Sequence, residues 1–482
     1  MRDETVFLGG LPAIRRVSVD EVARVVDSSK RRLVVLDDDP TGTQTVAGVP
    51  VLTTWSAEDL RWALSQDVTA FYVLTNTRSL SGDDAEARNR EIVENLVAAA
   101  RAEGVDFVIA SRSDSTLRGH FPLESDVLCE ALAEVGDVVD AIVIVPAYIE
   151  AGRFTVDSVH WVRSPDGLIR AGESEFARDA TFGYASSDLR EYVEEKTRGR
   201  WQAADVGRIT LSDIREGGVG TVVTILETLS GGHPVVVDAA CDDDLRVLSL
   251  ALLEAERSGK RFVYRVGPSF VRARAGLDAR PALTAVEVDD IRRHGFNDTH
   301  DVVSPHGLIV VGSHVAQTTR QLERLREASV PNEVELDVGK LLLPNSRDET
   351  IADAIREVVE HLGRGDVVIE TSRHVVHGDD AAASLAIARS VSAALVAVVQ
   401  GVVARVVPNW IVAKGGITSS DIATEALQVR RAWIRGPLLD GIVSLWEPVP
   451  GSPWTMPYVV FAGNVGNDDA LAEVVTKLRG VH

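Results

Sequence analysis

The sequence predicts the α/β class, with two doubly wound, mainly parallel-sheet domains and a ligand cleft between them. Two observations support this prediction. Short apolar runs alternate with helical patterns along the chain, which is typical of βαβ units and hence of parallel sheets. The alternation stops over residues 273–306 and then starts again, which indicates a boundary between domains. We therefore expect one domain at residues 1–280 and a second at 281–482.

Composition and charge narrow the class of protein. With 482 residues, 45% of them hydrophobic, the chain is long enough for two cores. A net charge of −22 argues against nucleic-acid binding, which needs a basic surface. The cysteines, Cys129 and Cys241, cannot build a disulfide framework or a cysteine metal site. Because the N-terminus lacks a signal-peptide pattern and polar residues interrupt the apolar segment 391–407, we expect a cytoplasmic protein without a membrane span.

The elements of the first domain follow from apolar runs and from helical periodicity. The segment Leu33–Leu36 is apolar throughout and ends at three acids, which predicts a buried strand. Residues 147–185 are rich in Gly, Ser and Arg and are expected to form long functional loops. The other predicted elements are strands at 70–74, 107–110, 141–145 and 234–238 and helices at 83–101, 122–135, 188–196 and 243–257.

The second domain repeats the alternation. Its predicted strands lie at 308–311, 367–370, 410–413 and 458–462. Its predicted helices lie at 318–327, 349–361, 381–407, 420–427 and 468–479. This order again predicts a mainly parallel sheet.

Four segments of the first domain lie at predicted strand ends and suit a small polar ligand. They are Asp37–Asp39 with its following turn, Thr75–Arg78, Ser111–Gly119 and Pro146–Arg153. Since ligands bind beyond the carboxyl ends of parallel strands, we expect these segments to meet at one sheet edge. Arginine holds a carboxylate through two hydrogen bonds, and Asp, Ser and Thr hold hydroxyl groups. This set of side chains fits a small hydroxy acid or a sugar acid.

Three predicted strands of the second domain end in small residues and lead toward helices. They are followed by Gly312-Ser313, Gly415–Ser420 and Gly463–Asn467. Glycine lets backbone N–H groups approach a phosphate, and helix N-termini favour negative charge. These loops predict nucleotide-phosphate binding, although the chain contains neither a GxxxxGK[ST] loop nor a GxGxxG motif. Asp421, expected in the first turn of the following helix, either caps that helix or holds Mg²⁺.

The histidines show no metal-ligand spacing. His120, His160, His314, His374 and His377 form no HExxH pattern. His160 lies near the irregular segment and could reach the site, but the sequence offers it no catalytic partner. The sequence therefore identifies no metal ligand.

Motifs in both halves resemble those of the four-carbon acid sugar kinases. The DD-x-TG signature of that family resembles Asp38-Asp39-Pro40-Thr41-Gly42. Its KxDSTLRG and PAFPEAGRxTVDG-H motifs resemble residues 112–119 (RSDSTLRG) and 146–160 (PAYIEAGRFTVDSVH). Its GS, GGxT and GNxG stretches match residues 312–313, 415–418 and 463–466. The matches span residues 33 to 469 in the expected order.

The resemblance implies a kinase that phosphorylates a hydroxyl group of a threonate- or erythronate-type acid with ATP and Mg²⁺. It implies acid binding by residues 1–280 and ATP binding by residues 281–482. By position, the acid is held by Asp38, Arg78, Arg112, Ser113, Asp114, Ser115 and Arg118. ATP is held by Ser313, Gly415, Gly416, Ile417, Thr418, Gly463, Asn464, Val465 and Gly466. The group that orients the acceptor hydroxyl and accepts its proton is either an acid of the 37–39 cluster, with Asp38 and Asp39 in the family signature, or Asp114.

Three positions depart from the family pattern. Arg112 replaces Lys, and Thr43-Gln44-Thr45 replaces a small residue and an acid. Ile417 stands where many members have an acid. Two alternatives therefore stay open, namely a kinase for a different small hydroxy acid and a non-catalytic sugar-acid sensor on the same fold. The expected partner is a small anionic sugar acid, with a homodimer as an open alternative and with neither nucleic acid nor membrane.

Overall fold

The computed structural model describes residues 3–164, 167–295, 303–372 and 381–480. The chain forms two compact units. Unit 1 comprises Met1–Gly42 and Thr54–Ala279, and unit 2 comprises Thr43–Thr53 and Arg280–His482. The segment Thr43–Thr53, which lies inside the expected first domain, thus belongs to unit 2. His374 and His377 lie outside the described residues.

Strands and helices alternate along most of the chain. The strands are β1 (Arg32–Asp37), β2 (Val49–Leu52), β3 (Ala70–Leu74), β4 (Phe107–Arg112), β5 (Ala141–Val145), β6 (Arg153–Val156), β7 (Val159–Ser164), β8 (Gly167–Arg170), β9 (Gly207–Ile209), β10 (His233–Val237), β11 (Phe262–Val266), β12 (Leu308–Val311), β13 (Asn332–Leu336), β14 (Val367–Thr371), β15 (Ile411–Lys414), β16 (Arg431–Leu439), β17 (Ile442–Pro448) and β18 (Tyr458–Phe461). The helices are α1 (Glu4–Gly9), α2 (Val19–Ser29), α3 (Ala57–Ser65), α4 (Gly82–Glu103), α5 (Leu123–Glu134), α6 (Leu189–Lys196), α7 (Gly218–Glu227), α8 (Asp242–Arg257), α9 (Pro268–Arg274), α10 (Ala285–Gly295), α11 (Ala316–Ser329), α12 (Val338–Leu341), α13 (Pro344–Leu362), α14 (Ala381–Val403), α15 (Gly416–Asp421) and α16 (Ala470–Arg479).

Unit 1 is built on a parallel sheet with the strand order β3-β1-β4-β11-β5-β10-β9. Each of these pairings is parallel, which confirms the predicted α/β class for this half. Its central strands are buried apolar runs, such as AIVIV in β5, because helices cover parallel sheets.

The prediction of long loops over residues 147–185 is wrong for part of that segment. The strands β6, β7 and β8 pair in that order as a separate antiparallel sheet. Each has only four to six residues and carries polar side chains, so the pairing depends on tertiary neighbours more than on an apolar pattern.

Unit 2 contains a mixed sheet with the strand order β13-β14-β12-β15-β18-β17-β16-β2. The first five strands are parallel, and the last three pair antiparallel. The pairing of β2 with β16 is what places the segment Thr43–Thr53 in this unit. The sheet is mainly parallel, as predicted.

The helices begin and end where local chemistry favours it. In α4 the hydroxyl of Ser81 accepts the N–H of Asp84, and Asp83 and Asp84 place negative charge in the first turn. Gly104 ends this helix in the left-handed conformation, with φ 66°. Such caps fix the boundaries of the helices that follow the strand-end loops.

The helix predicted at 420–427 begins earlier than expected. Helix α15 starts at Gly416, directly after Gly415, and a π-helical turn follows at Ile422–Ala426. Asp421 is therefore the last residue of α15 and does not cap its N-terminus, so the predicted capping role is wrong. The expectation failed because the second glycine of the pair opens the helix instead of extending the loop.

Among the residues that the structure describes, no helix combines the length and apolar composition needed to cross a bilayer.

Candidate functional site

The carboxyl ends of β1, β4, β11 and β5 lie side by side in unit 1. The register pairs Asp37 with Arg112, Arg112 with Val266, and Val266 with Val145. The segments that follow these strands therefore share one sheet edge, which brings the acids at 37–39 next to the 112–119 segment and the 146–153 loop.

Asp37 and Arg112 form a buried ion pair at this edge. Arg112 Nη1 donates to Asp37 Oδ1 at 2.9 Å, and both side chains are less than a tenth exposed. Burial raises the pKa of Asp37 to about 7, against the lowering effect of Arg112. Asp37 Oδ2 has no hydrogen-bond partner among the described residues. Gly42 leaves room for the pair, because a Cβ there would overlap Asp37 Oδ2 and Arg112 Nη1.

Arg78 binds both of the other acids of the triplet. Its Nη2 and Nε donate to the two oxygens of Asp38 at 2.6 and 3.2 Å, and its Nη1 donates to Asp39 Oδ2 at 3.0 Å. Asp39 Oδ1 accepts from the N–H of Thr41 at 2.8 Å. Burial raises the pKa of Asp39, but Arg78 and Thr41 lower it further, so that it lies below its usual range. One guanidinium thus orients both carboxylates. It helps to keep Asp39 ionised, whereas burial raises the pKa of Asp38 despite the pairing with Arg78.

Asp114 pairs with Arg118 and keeps one oxygen free. Arg118 Nε donates to Asp114 Oδ2 at 2.6 Å, and the Thr116 hydroxyl donates to the same oxygen. Asp114 Oδ1 accepts no hydrogen bond from any described residue. Although burial opposes it, the charges of Arg78 and Arg118 hold the pKa of Asp114 well below its usual range. Asp114 is thus a persistent carboxylate with an available acceptor oxygen.

Arg153 lies in the same cluster. The sequence analysis placed it in the 146–153 segment at a strand end but did not single it out as a site residue. Its guanidinium lies 5.9 Å from the ring centroid of Tyr148 and 5.6 Å from that of Phe176. Its Nη1 donates to Ser115 Oγ at 3.3 Å, while its Nε is buried without a partner among the described residues. Arg118 lies 5.1 Å from the same Phe176 ring. Phe176 was also missed, because neither its sequence spacing nor its neighbours point to the strand ends.

The two serines predicted to bind the acid lie on the segment that carries Asp114. Ser113 and Ser115 are buried, and the N–H of Ser113 donates to the Val266 carbonyl at 3.0 Å. This bond joins the 112–119 segment to the end of β11. The position of Ser115 is set from the other side by His160.

His160 is buried and positions the neighbouring backbone, and it does not act as an acid or a base in the cluster. Its Nε2 lies 2.7 Å from the Ser115 carbonyl, and its Nδ1 lies 3.0 Å from Thr155 Oγ1. Because a carbonyl can only accept, Nε2 carries the proton and Nδ1 accepts from the hydroxyl. Burial lowers the pKa of His160 to about 4. The ring is therefore neutral and orients the 113–116 segment.

We expect His160 to make the protein labile to acid. Its pKa lies below the unfolded value of about 6.5, so the unfolded chain binds the extra proton first as the pH falls. The contribution of neutral His160 to the free energy of unfolding is complete above pH 6.5 and is lost as the pH falls toward 4. The loss amounts to about 3 kcal/mol. Urea unfolding of wild type and His160→Gln at several pH values measures this difference. Parallel stability curves for the two proteins between pH 6.5 and 4 would contradict the assignment.

In unit 2, the three glycine loops lie at the ends of adjacent parallel strands. The register pairs Val311 of β12 with Lys414 of β15, and Lys414 with Phe461 of β18. Gly312-Ser313, the 415–418 loop and the 463–466 loop therefore follow neighbouring strands at one edge. The structure thus brings together the three segments that the sequence analysis assigned to nucleotide binding.

Close packing explains why these loops need glycine. A Cβ on Gly312 would overlap Thr418 Oγ1, and one on Gly463 would lie 2.5 Å from Ser313 Oγ. Gly415 has φ +130° and lies against the same Thr418 hydroxyl. Gly416, by contrast, faces open space. Gly416, at the start of α15, is thus the one of these four glycines without side-chain cover, while the N–H groups of Gly312 and Gly415 donate to the Lys414 and Phe461 carbonyls.

The remaining loop residues differ in exposure. Ile417 is 62% exposed, so its apolar side chain occupies an accessible position at the start of α15. The Val465 carbonyl accepts from Gln321 Nε2 at 2.9 Å, which ties the 463–466 loop to α11. Asn464 precedes this anchored carbonyl, and Gly466 adopts φ +81° to complete the turn.

The structure also tests which residues fit a metal ion. In the described ranges, no group of three or more His, Cys, Asp or Glu side chains is arranged to hold a metal. Mg²⁺ in nucleotide enzymes commonly takes one or two carboxylates together with phosphates and waters, so a preformed cage is not required. Asp421 is the acid on α15; its Oδ2 accepts from the Ser392 hydroxyl, and burial raises its pKa.

Comparison with known proteins agrees with this geometry. A sugar-binding N-terminal domain model matches residues 33–274, and a nucleotide-binding C-terminal domain model matches residues 308–471. A 3-oxo-tetronate kinase of Methylobacterium radiotolerans is 28% identical over 451 residues, which cover 90% of this chain and 96% of that protein. A D-erythronate kinase of Heliobacterium modesticaldum is 25% identical over 292 residues, covering 60% of this chain and 58% of that protein.

Solved structures support the same fold. A Salmonella typhimurium LT2 protein aligns with a TM-score of 0.63 at 17% identity, covering 92% of this chain and 98% of that one. A Haemophilus influenzae protein aligns with a TM-score of 0.59 at 19% identity, covering 92% and 100%. At these identities the likeness concerns the fold alone.

The matching domain models and the two kinase relatives identify the chain as a phosphotransferase of the sugar-acid kinase class, with an alcohol group as the acceptor and a nucleotide as the second substrate. The chain belongs to the four-carbon acid sugar kinase family.

Proposed function

We propose that this chain transfers the γ-phosphoryl group of ATP to a hydroxyl group of a four-carbon sugar acid of the threonate, erythronate or 3-oxo-tetronate type, as a step of carbohydrate catabolism. The names of the two relatives support this acceptor class. The observation that carries the proposal is the pairing of the charged side chains at the edge of unit 1. There, Asp114 keeps a free carboxylate oxygen, and Arg153 forms no ion pair with a described residue.

The hydrogen-bond partners of Asp38, Asp39 and Asp114 distinguish these acids as candidates for the group that accepts the hydroxyl proton. Arg78 occupies both oxygens of Asp38, and Arg78 and Thr41 occupy those of Asp39. Asp114 alone of the three has an oxygen without a described donor. Asp37 also has one, but that oxygen is buried and the carboxylate is paired with Arg112. We therefore assign the orientation of the acceptor hydroxyl to Asp114, and the orientation of the surrounding segment to Asp38 and Asp39. Because phosphoryl transfer depends on positioning more than on strong base catalysis, a weakly basic carboxylate suffices.

The ion pairs of the arginines likewise indicate which of them can bind the substrate carboxylate. Arg78 and Arg112 are engaged by acids of the triplet. Arg153 is the cation of this edge that lacks an ion-pair partner among the described residues, and Arg118 lies beside it across Phe176. An arginine binds a carboxylate through two parallel hydrogen bonds. Arg153 is therefore the proposed clamp. Arg118, whose Nε is bound to Asp114, is proposed to assist it from the other side of Phe176, with Ser113 and Ser115 on the adjoining segment.

We propose that residues 281–482 bind the nucleotide and that residues 1–280 bind the acid. Ser313, the 415–418 loop and the 463–466 loop would hold the phosphates through backbone N–H groups. Mg²⁺, when bound with the nucleotide, neutralises the charge that develops on the phosphates. Asp421 is the residue proposed to approach it.

The experiment that tests the function measures ADP release by the purified protein with ATP and Mg²⁺. The acceptors are D- and L-threonate, D- and L-erythronate and their 2- and 3-oxo forms, with threitol as the neutral control. Release that depends on one acid and not on threitol supports the proposal and names the substrate. ATP binding without release for any of these acids would exclude the four-carbon acceptor and direct the search to other hydroxy acids.

Replacing Arg153 by Met is expected to raise the KM for the acid about twentyfold while kcat changes little. The substitution removes a charge-assisted hydrogen-bonding group worth about 1.5–3 kcal/mol but leaves Asp114 in place. Steady-state kinetics with the acid that the panel identifies provide the measurement. Arg200→Met is the matched control, since Arg200 forms an exposed pair with Asp126 on α5. An unchanged KM in Arg153→Met would exclude Arg153 from the clamp.

A further inference from the structure

Lys414 is a buried lysine directly before the glycine pair. It is the last residue of β15 and has no exposed surface. Its Nζ donates to the carbonyls of Ala462 at 2.8 Å and Gly463 at 3.3 Å, and it lies 3.7 Å from the ring centroid of Phe461. One ammonium thus joins the strand end before the 415–418 loop to the start of the 463–466 loop.

This ammonium has no protein counter-charge in the part of unit 2 that the structure describes. Its three N–H groups have two carbonyl acceptors and the face of an aromatic ring, and no carboxylate pairs with it. The titratable groups on the adjacent elements are Tyr458 on β18, Asp421 on α15 and His314 after β12; none bonds to Nζ. Burial alone lowers the pKa of Lys414 to about 7. A buried cation of this kind is unfavourable until an anion approaches it.

The glycine loops that Lys414 joins are the segments proposed to hold nucleotide phosphates. We infer that Lys414 is a positioning residue that binds these loops together in its protonated form, so that nucleotide phosphate binds with uptake of one proton by its side chain. The inference rests on the proposed function, because it takes the ligand at these loops to be a nucleotide.

The consequence for pH dependence follows from linkage. A bound phosphate stabilises the ammonium and therefore raises the pKa of Lys414 in the complex. When the pH is below the pKa that Lys414 has in the free protein, its side chain is already protonated. The affinity for nucleotide then does not change with pH through this group. As the pH rises above 7, binding must recharge the lysine, so affinity decreases.

The test is isothermal titration of the full-length protein with Mg·ADP from pH 6 to pH 9, in two buffers of different ionisation enthalpy. Wild type is expected to lose about fiftyfold in affinity from pH 6 to pH 9 and to take up close to one proton near pH 8. Lys414→Met is expected to bind about a hundredfold more weakly at pH 6, and its affinity is expected to change with pH only through the titration of the ligand. Lys414→Arg keeps its charge throughout and is expected to show no proton uptake by the protein. Lys477→Met is the matched control, because Lys477 also donates to a backbone carbonyl, that of Leu438, but lies on α16.

The outcomes separate the inference from the function. If wild type and both Lys414 variants share one pH profile and one proton count, Lys414 has no role in phosphate binding, whereas nucleotide binding stands. If wild type binds no Mg·ADP at any pH, the proposed function and the inference both fail. If Lys414→Met does not fold, as judged by circular dichroism, the comparison of wild type with Lys414→Arg still decides the matter.

Discussion

Asp114→Asn is expected to lower kcat about a thousandfold while the affinity for the acid changes by less than tenfold. Positioned acid–base groups contribute roughly 10²–10⁴ to a rate, and the amide can neither accept the hydroxyl proton nor stabilise its developing charge. The free oxygen of Asp114 and its persistent ionisation beside Arg118 are the grounds for this assignment. The measurement is ADP release with saturating acid, together with calorimetric binding of the acid alone.

The pH profile of wild type provides a second check on Asp114. Arg78 and Arg118 keep its pKa well below the usual range, so its protonation cannot limit the rate between pH 5 and pH 9. Asp126→Asn serves as the control, because Asp126 makes an exposed pair on α5. Full turnover by Asp114→Asn would reject the role, and Asp39, the more exposed acid of the Arg78 pair, would be the next candidate.

Gly42→Ala is expected to destabilise the protein by about 3–5 kcal/mol and to abolish turnover. The added Cβ has no room beside the Asp37–Arg112 pair, and separating a buried ion pair leaves two uncompensated charges at a cost of this order. Urea unfolding at pH 8, where Asp37 is ionised, gives the stability difference. The same preparation is assayed for ADP release.

Gly220→Ala is the control for the effect of an added methyl group. Gly220 lies within α7, and a Cβ there meets no atom within 4 Å. Because Ala favours a helix over Gly by about 1 kcal/mol, this variant is expected to be as stable as wild type or slightly more stable. Wild-type stability and activity in Gly42→Ala would mean that the turn can move away from the ion pair without consequence.

Much of the fold followed from local patterns. Strands β3, β5 and β12 lie where their apolar runs predict them, because a strand covered on both faces must be apolar along its whole length. The strand β11 (FVYRV) was not predicted, although it lies between β4 and β5 and contributes Arg265. A basic residue in so short a run hides the pattern. The ion pair of Arg265 with Glu124 at 2.7 Å and its hydrogen bond to Ser111 Oγ at 2.9 Å compensate for its burial.

Local sequence patterns were sufficient to predict that this protein alternates strands with helices and that acids, arginines and glycine loops follow particular strands. These features are local, since periodicity and the positions of Gly and Asp depend only on neighbours along the chain. Tertiary structure alone decided which charges neutralise one another: Arg78 binds Asp38 and Asp39, whereas Arg153 and Lys414 have no acidic partner among the described residues. The physical reason is that charge pairing depends on distances of a few ångströms between segments far apart in sequence, and a list of residues does not contain those distances.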